Sequence, residues 1–195
     1  MDRATAVSEL KLVYKTLSGD LDTALDGVRQ YDDQFARRTL YRTYFAFVEG
    51  LAFQLRQVTV ASLANTDVLS VAELSLLREE KFQLNHKGEP EARDNFQSSL
   101  PNLLFCIRCY VKNHGATYQP NIGLAGWDAM KKATAIRDKL MHPKSAVGLE
   151  VLVDDVQTLR AASDWWNRTL LEMFTACGEA DVRFRKELEG HVQSA

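Results

Sequence analysis

The sequence predicts an all-α fold, an antiparallel helical bundle with additional helices at its N-terminus. Three observations carry this. Apolar residues recur at steps of three and four over long stretches, while strand-like alternation is scarce. Only 4 prolines and 10 glycines interrupt 195 residues. Capping residues stand where several of the periodic stretches begin. The length and the 46% hydrophobic content suit one helical domain over 1–195, with a core over about 32–177 and a peripheral tail over 179–195.

Residues 4–17 place Val7, Leu10, Val13 or Tyr14, and Leu17 on one line, and Ser18-Gly19 reads as the stop. A shorter helix over 20–30 turns Leu21, Leu25 and Val28 inward. Asp32 or Asp33 caps a long helix running to about Leu63, because a carboxylate there accepts from backbone N–H groups that have no helical partner. Its stripe is Tyr41, Tyr44, Val48, Leu51, Leu55 and Val58, widened by Phe45, Phe47 and Phe53, so it is the central helix.

Ser70-Val71-Ala72-Glu73 is a capping box that opens a helix to about Asn85. His86-Lys87-Gly88-Glu89-Pro90 closes it, and the polar run 88–99 reads as loop. Pro101 falls in the first turn of a helix that buries Leu103, Leu104, Ile107, Tyr110 and Val111 and ends at His114-Gly115. After a loop over 115–124, a helix over 125–141 turns Ala129, Ala133, Ile136 and Leu140 inward. Trp127, Met130, Thr134, Arg137 and Met141 form the neighbouring line, and Asp128, Lys131, Lys132, Ala135 and Lys139 face water. A connection over 143–153, extended at 149–153, leads to Asp154-Asp155-Val156-Gln157, a cap with the glutamine reaching back. The last long helix carries Val156, Leu159, Ser163, Trp166, Leu170, Met173 and Cys177, and Gly178 ends it before a short helix in the tail.

The net charge of −2 argues against a dedicated nucleic-acid binder, although it leaves room for an enzyme that grips RNA locally. Cys106, Cys109 and Cys177 form no paired framework, and no apolar leader follows Met1, so the cytoplasm is the expected compartment. The longest apolar tract, Tyr44 to Phe53, is broken by Glu49 and too short for a bilayer, so no membrane partner is expected. Cys106-x-x-Cys109 lacks the second pair of a zinc site and reads as two core thiols, so neither a metal nor another cofactor is expected. Gly123-Leu124-Ala125-Gly126 lacks the spacing of a phosphate loop. Arg37, Arg38 and Arg42 read as a solvated helix turn, with a phosphate grip in view only if they lie near His142. Glu49 either faces solvent, the favoured reading, or is a buried partner for a cation such as Arg137.

The stretch Ile136-Arg137-Asp138-Lys139-Leu140-Met141-His142-Pro143-Lys144 concentrates the chemistry. Arg137 and His142 on one ideal helix project roughly 140° apart. Pro143 breaks the ladder and pushes His142 out of the α region, so the helix ends near Met141 and the imidazole can fold back toward the guanidinium. A permanent cation beside a group that titrates near neutral pH suits work on a phosphate. The competing reading is a histidine placed at a helix C-terminus to suit the macrodipole. An arginine followed by a histidine after four to six residues also occurs at Arg108 and His114 and at Arg185 and His191. Only Arg137 has a polar neighbour in Asp138, lies at the edge of an amphipathic stripe and has its histidine pinned by proline.

Arg137, Asp138 and His142, an arginine and a polar residue followed after three more positions by histidine, sit on the second-to-last long helix of a helical chain, and the stretch resembles the HEPN superfamily. Lys144 stands where some members carry a tyrosine, which sets the chain apart from that subgroup. The resemblance implies a HEPN-like bundle that dimerises and brings two motifs to one cleft. It implies a metal-independent endoribonuclease, a toxin or defence effector, with an inhibitory partner protein as a further expectation. His142 would act as general base or acid, Arg137 would stabilise the phosphorane-like transition state, and Asp138 would orient one of them. The alternative within the same family is a non-catalytic RNA- or nucleotide-binding or regulatory module.

Overall fold

The computed structural model describes residues 1–62, 68–94 and 97–193. The fold is of the all-α, helical-bundle class, with one small hairpin: α1 (Arg3–Tyr31), α2 (Gln34–Ala61), α3 (Val71–Leu77), β1 (Glu80–Leu84), β2 (Pro90–Asp94), α4 (Ser99–Asn113), α5 (Ala125–Met141) and α6 (Val153–Gln193). None of the described helices is long and apolar enough to cross a membrane. The chain divides into two compact units. One comprises Met1–Leu10, Ala52–Gln119 and Met173–Ala195, and the other Lys11–Leu51 and Pro120–Glu172.

Local chemistry explains most boundaries. Asp33 caps α2, its Oδ1 accepting from the Ala36 N–H at 2.8 Å. The expected end near Leu63 falls outside the described residues, and α2 stops at Ala61. The central stripe of α2 is as expected, with Tyr41, Tyr44, Val48, Leu51, Leu55 and Val58 all buried. Phe53 is instead 47% exposed and lies under the Arg56 guanidinium. Gly50 has a packing reason: a Cβ there would stand 2.7 Å from Leu17 Cδ1.

Two expected helix stops do not stop helices. α1 runs through Gly19, and α6 runs through Gly178 to Gln193 with no separate tail helix. Glycine ends a helix by taking positive φ, and among the described glycines only Gly88 and Gly115 do so. The helix expected from Ser70 begins with the predicted capping box but closes at Leu77. Glu79 takes φ +54°, and the chain turns into β1. β1 and β2 pair antiparallel with Phe82 opposite Ala92, so the run expected as loop is half of a hairpin. Asn85 builds its turn. Its Oδ1 accepts from the Lys87 and Glu89 N–H groups, while Gly88 supplies the positive φ.

In the first unit, Leu69, Leu77 and Cys109 form a buried cluster with Val60, Leu74 and Phe105 against it. Cys106 and Cys109 are core thiols as expected, and burial pushes them up to about 11 and about 12. In the second unit, α5 occupies the expected span. Ala129, Ala133 and Leu140 are buried, as are Trp127, Met130 and Thr134. Ile136 is half-buried, and Met141, expected inside, is 51% exposed because the helix ends there.

Candidate functional site at the end of α5

Pro143 has no N–H, and α5 ends at Met141, two residues before it. His142 is the C-cap, with φ −128° and ψ 64°, and its N–H donates to the Asp138 carbonyl at 3.0 Å. The exposed imidazole lines a groove of about 930 Å³ with Asp138, Lys139, Lys144, Ser145 and Asp155. Asp138 and His142 thus meet on one groove, one turn apart.

Arg137 is held just beside it, and the groove lining does not include it. Its guanidinium forms ion pairs with Glu49 and with Asp138, the latter at 2.9 Å, and lies 5.2 Å from the centre of the Phe45 ring. The Arg137 side chain is only 16% exposed. Glu49 is exposed, as favoured, with its side chain 48% accessible, and it pairs with Arg137 without being buried. One guanidinium between two carboxylates is more than neutralised, which settles the cost of a cation at the edge of the apolar stripe.

The far wall of the groove rests on residues whose function the sequence did not disclose. Gln34 acts as a strand-like clasp: its Nε2 donates to the Val151 carbonyl and its Oε1 accepts from the Val151 N–H, both at 2.9 Å. Arg37 donates to the same carbonyl at 3.1 Å, and Arg38 donates to the Leu149 carbonyl at 3.3 Å. Two of the three clustered arginines therefore fasten the connection between α5 and α6, and Arg42 is exposed. Asp32 and Arg37 share a 2.7 Å contact that holds the Asp32 carboxyl below its usual range. The connection makes a single 3-10 turn at Val147–Leu149. The carboxylate that reaches back at the start of α6 is Asp155, accepting from the Leu152 N–H at 2.8 Å, and not the expected Gln157. Tyr41 donates to the Asp155 carbonyl at 2.7 Å and anchors this turn to α2.

The groove mixes charges, with Lys139 and Lys144 against Asp138, Glu150 and Asp155. It can position a proton-transferring imidazole beside a carboxylate. Among the described residues no three histidine, cysteine or acidic side chains are grouped to hold a metal ion. The other arginine–histidine spacings differ. Arg108 is exposed while His114 is turned into the first unit against Asp181. The His191 side chain lies outside the described residues. No protein-family model, curated protein or solved structure matches the chain.

Proposed function

We propose that this chain is a metal-independent endoribonuclease of HEPN type that works at the groove closing α5. The observation that carries the reading is the exposed His142 imidazole on a groove it shares with Asp138, with Arg137 one residue back on the same helix. His142 takes the proton of a ribose 2′-OH, the oxygen attacks the adjacent phosphorus, and the 5′-oxygen leaves with the proton that the imidazolium returns, giving a cyclic phosphate. Asp138 is the more exposed of the two carboxylates on Arg137, at 57% against 48%. An RNA phosphate that displaces it meets the guanidinium, which then offsets charge on the transition state. Two chains pair so that two grooves serve one RNA, and an inhibitory protein restrains the activity of what is a toxin or defence effector.

The test is incubation of the purified protein with mixed RNA in EDTA. The expected outcome is cleavage to cyclic-phosphate ends, reduced on the order of 10²–10⁴-fold in His142→Ala. Cleavage that survives that substitution sinks the assignment. A second reading, a non-catalytic RNA- or nucleotide-binding or regulatory module, is favoured by one observation. Arg137 is already balanced by Glu49 and Asp138, and three carboxylates line the groove. Cleavage by the wild type that is lost in Arg137→Ala removes that reading.

A further inference from the structure

The hairpin of the first unit has an open edge. Two strands alone are marginal in water, and stability comes with three or more strands or a covering helix. Lys81, Phe82, Gln83 and Leu84 of β1 are all exposed, Phe82 at 64% and Leu84 at 72%. The register fixes which backbone groups are unmet. At the turn, the Asn85 N–H donates to the Glu89 carbonyl at 3.0 Å. Hydrogen-bonded and non-hydrogen-bonded pairs alternate along an antiparallel ladder. Lys81 and Gln83 therefore turn their backbone groups toward β2, while Glu80, Phe82 and Leu84 turn theirs outward. Two contacts agree with this. Pro90, which has no N–H to give, stands opposite Leu84, and the Glu80 carbonyl accepts from Ser75 Oγ at 2.7 Å. None of the described hydrogen bonds outside the ladder reaches Phe82 or Leu84.

The two edges of the hairpin differ. Pro90 blunts the outer edge of β2, whereas β1 presents the N–H and C=O groups of both Phe82 and Leu84. Phe82 and Leu84 share one face with Ala92 and Pro90, and all four are exposed. Charge also runs in one direction along this edge. Glu80 stands at the start of β1, and His86 and Lys87 stand in the turn beyond its end. Such a strand complements itself only when reversed, because a parallel copy would set Glu80 beside Glu80. With Gln83 on a two-fold axis, Phe82 opposes Leu84 of a second copy, Lys81 opposes its Asn85, and Glu80 meets its His86 next to Lys87.

We propose that β1 is a self-association edge, pairing antiparallel with β1 of a second copy of this chain about Gln83. The two hairpins then form one four-stranded sheet in the order β2-β1-β1-β2. The free N–H and C=O groups of Phe82 and Leu84 are satisfied across the seam, and the two side chains become cross-strand neighbours. Two strands of five residues make a small contact, so the association is weak and reversible. The contact shares no residue with the groove at His142 and stands apart from the ribonuclease reading.

The experiment is disulfide trapping on the full chain. Gln83 on the axis is a non-hydrogen-bonded pair with itself, with Cα atoms about 4.5 Å apart, inside the range of about 4.4–6.8 Å that a disulfide spans. Gln83→Cys is expected to give a cross-linked dimer on mild oxidation, seen on a non-reducing gel. Arg93→Cys, exposed on β2, is expected to stay monomeric, as is the wild type, whose cysteines are buried. In the Gln83→Cys chain, His86→Glu with Lys87→Glu slows cross-linking several-fold, and adding Glu80→Lys restores it. The proposal is overturned if Gln83→Cys stays monomeric, or if Arg93→Cys cross-links as fast. It also falls if reversing the charges of the turn leaves the rate unchanged.

Discussion

Helix α4 ends at His114 and helix α5 at His142, both as C-cap residues, and each histidine follows an arginine on its own helix. After His114 comes Gly115 at φ +63°. Its N–H donates to the Lys112 carbonyl and that of Ala116 to the Val111 carbonyl, so the chain folds back over the helix end. The imidazole is carried inward. Its ring centre lies 4.6 Å from that of Tyr110, its Nδ1 is 3.0 Å from Asp181, and its side chain is 8% exposed. After His142 comes Pro143, which cannot donate and cannot take positive φ. The chain leads away, and the imidazole stays open on the groove. Two equal residues at equal positions thus differ in availability because of the residue that follows.

The sharpest way to break this contrast is a pair of substitutions. His142→Ala is expected to lower RNA cleavage by about 10²–10⁴-fold while leaving the melting temperature nearly unchanged. His114→Ala is expected to do the reverse, losing about 1–2 kcal/mol of stability with cleavage retained. RNA assays and thermal melts on both variants check it, and a large loss of stability in His142→Ala would place that side chain in the structural class with His114.

A smaller effect concerns the cation beside each histidine. Arg108 is exposed, and Arg108→Met is expected to change stability by less than about 0.5 kcal/mol. Arg137→Met is expected to cost about 1–2 kcal/mol, because Glu49 and Asp138 lose a shared partner. Denaturant titration separates the two.

The end of α4 also carries an acid-sensitive tie. Lys112 reaches Glu73 of the α3 capping box at 2.8 Å. Its hydrogen bond, then that of the Ser70 backbone, brings the Glu73 carboxyl down to about 2. A depressed carboxyl contributes stability above its unfolded value near 4.5, and the contribution fades as pH falls from there toward 2. Glu73→Gln is therefore expected to flatten the stability–pH curve across that window, by on the order of 1 kcal/mol. Melts from pH 2 to 6 show whether the two curves converge at low pH. The smallest test is Gly115→Ala, where a side chain at φ +63° costs about 1 kcal/mol.

Much of the site was legible because its devices are local. Pro143 ends α5, Asp33 caps α2 and Glu73 closes its box, each acting within a turn of its own position. The errors share a cause. Gly19 and Gly178 are stop residues only in a left-handed conformation, and composition does not reveal φ. The hairpin over 80–94 was hidden because Phe82 and Leu84 are both exposed, so no buried face imposed an alternating pattern. The clasp by Gln34, Arg37 and Arg38 left only a cluster of polar residues at a helix start, which resembles any solvated turn.

By itself the sequence determined the helical class, the span of α5, and the placement of Arg137, Asp138 and His142 at its end, since periodicity, capping and proline act over a few residues. Tertiary structure alone decided what each of them faces. Glu49 and Phe45 on α2 turn Arg137 into a compensated cation, and the connection fastened to Gln34 makes the groove that leaves His142 open. Backbone stereochemistry is read within a turn, but a charge is set by whatever the folded chain brings within a few ångströms of it.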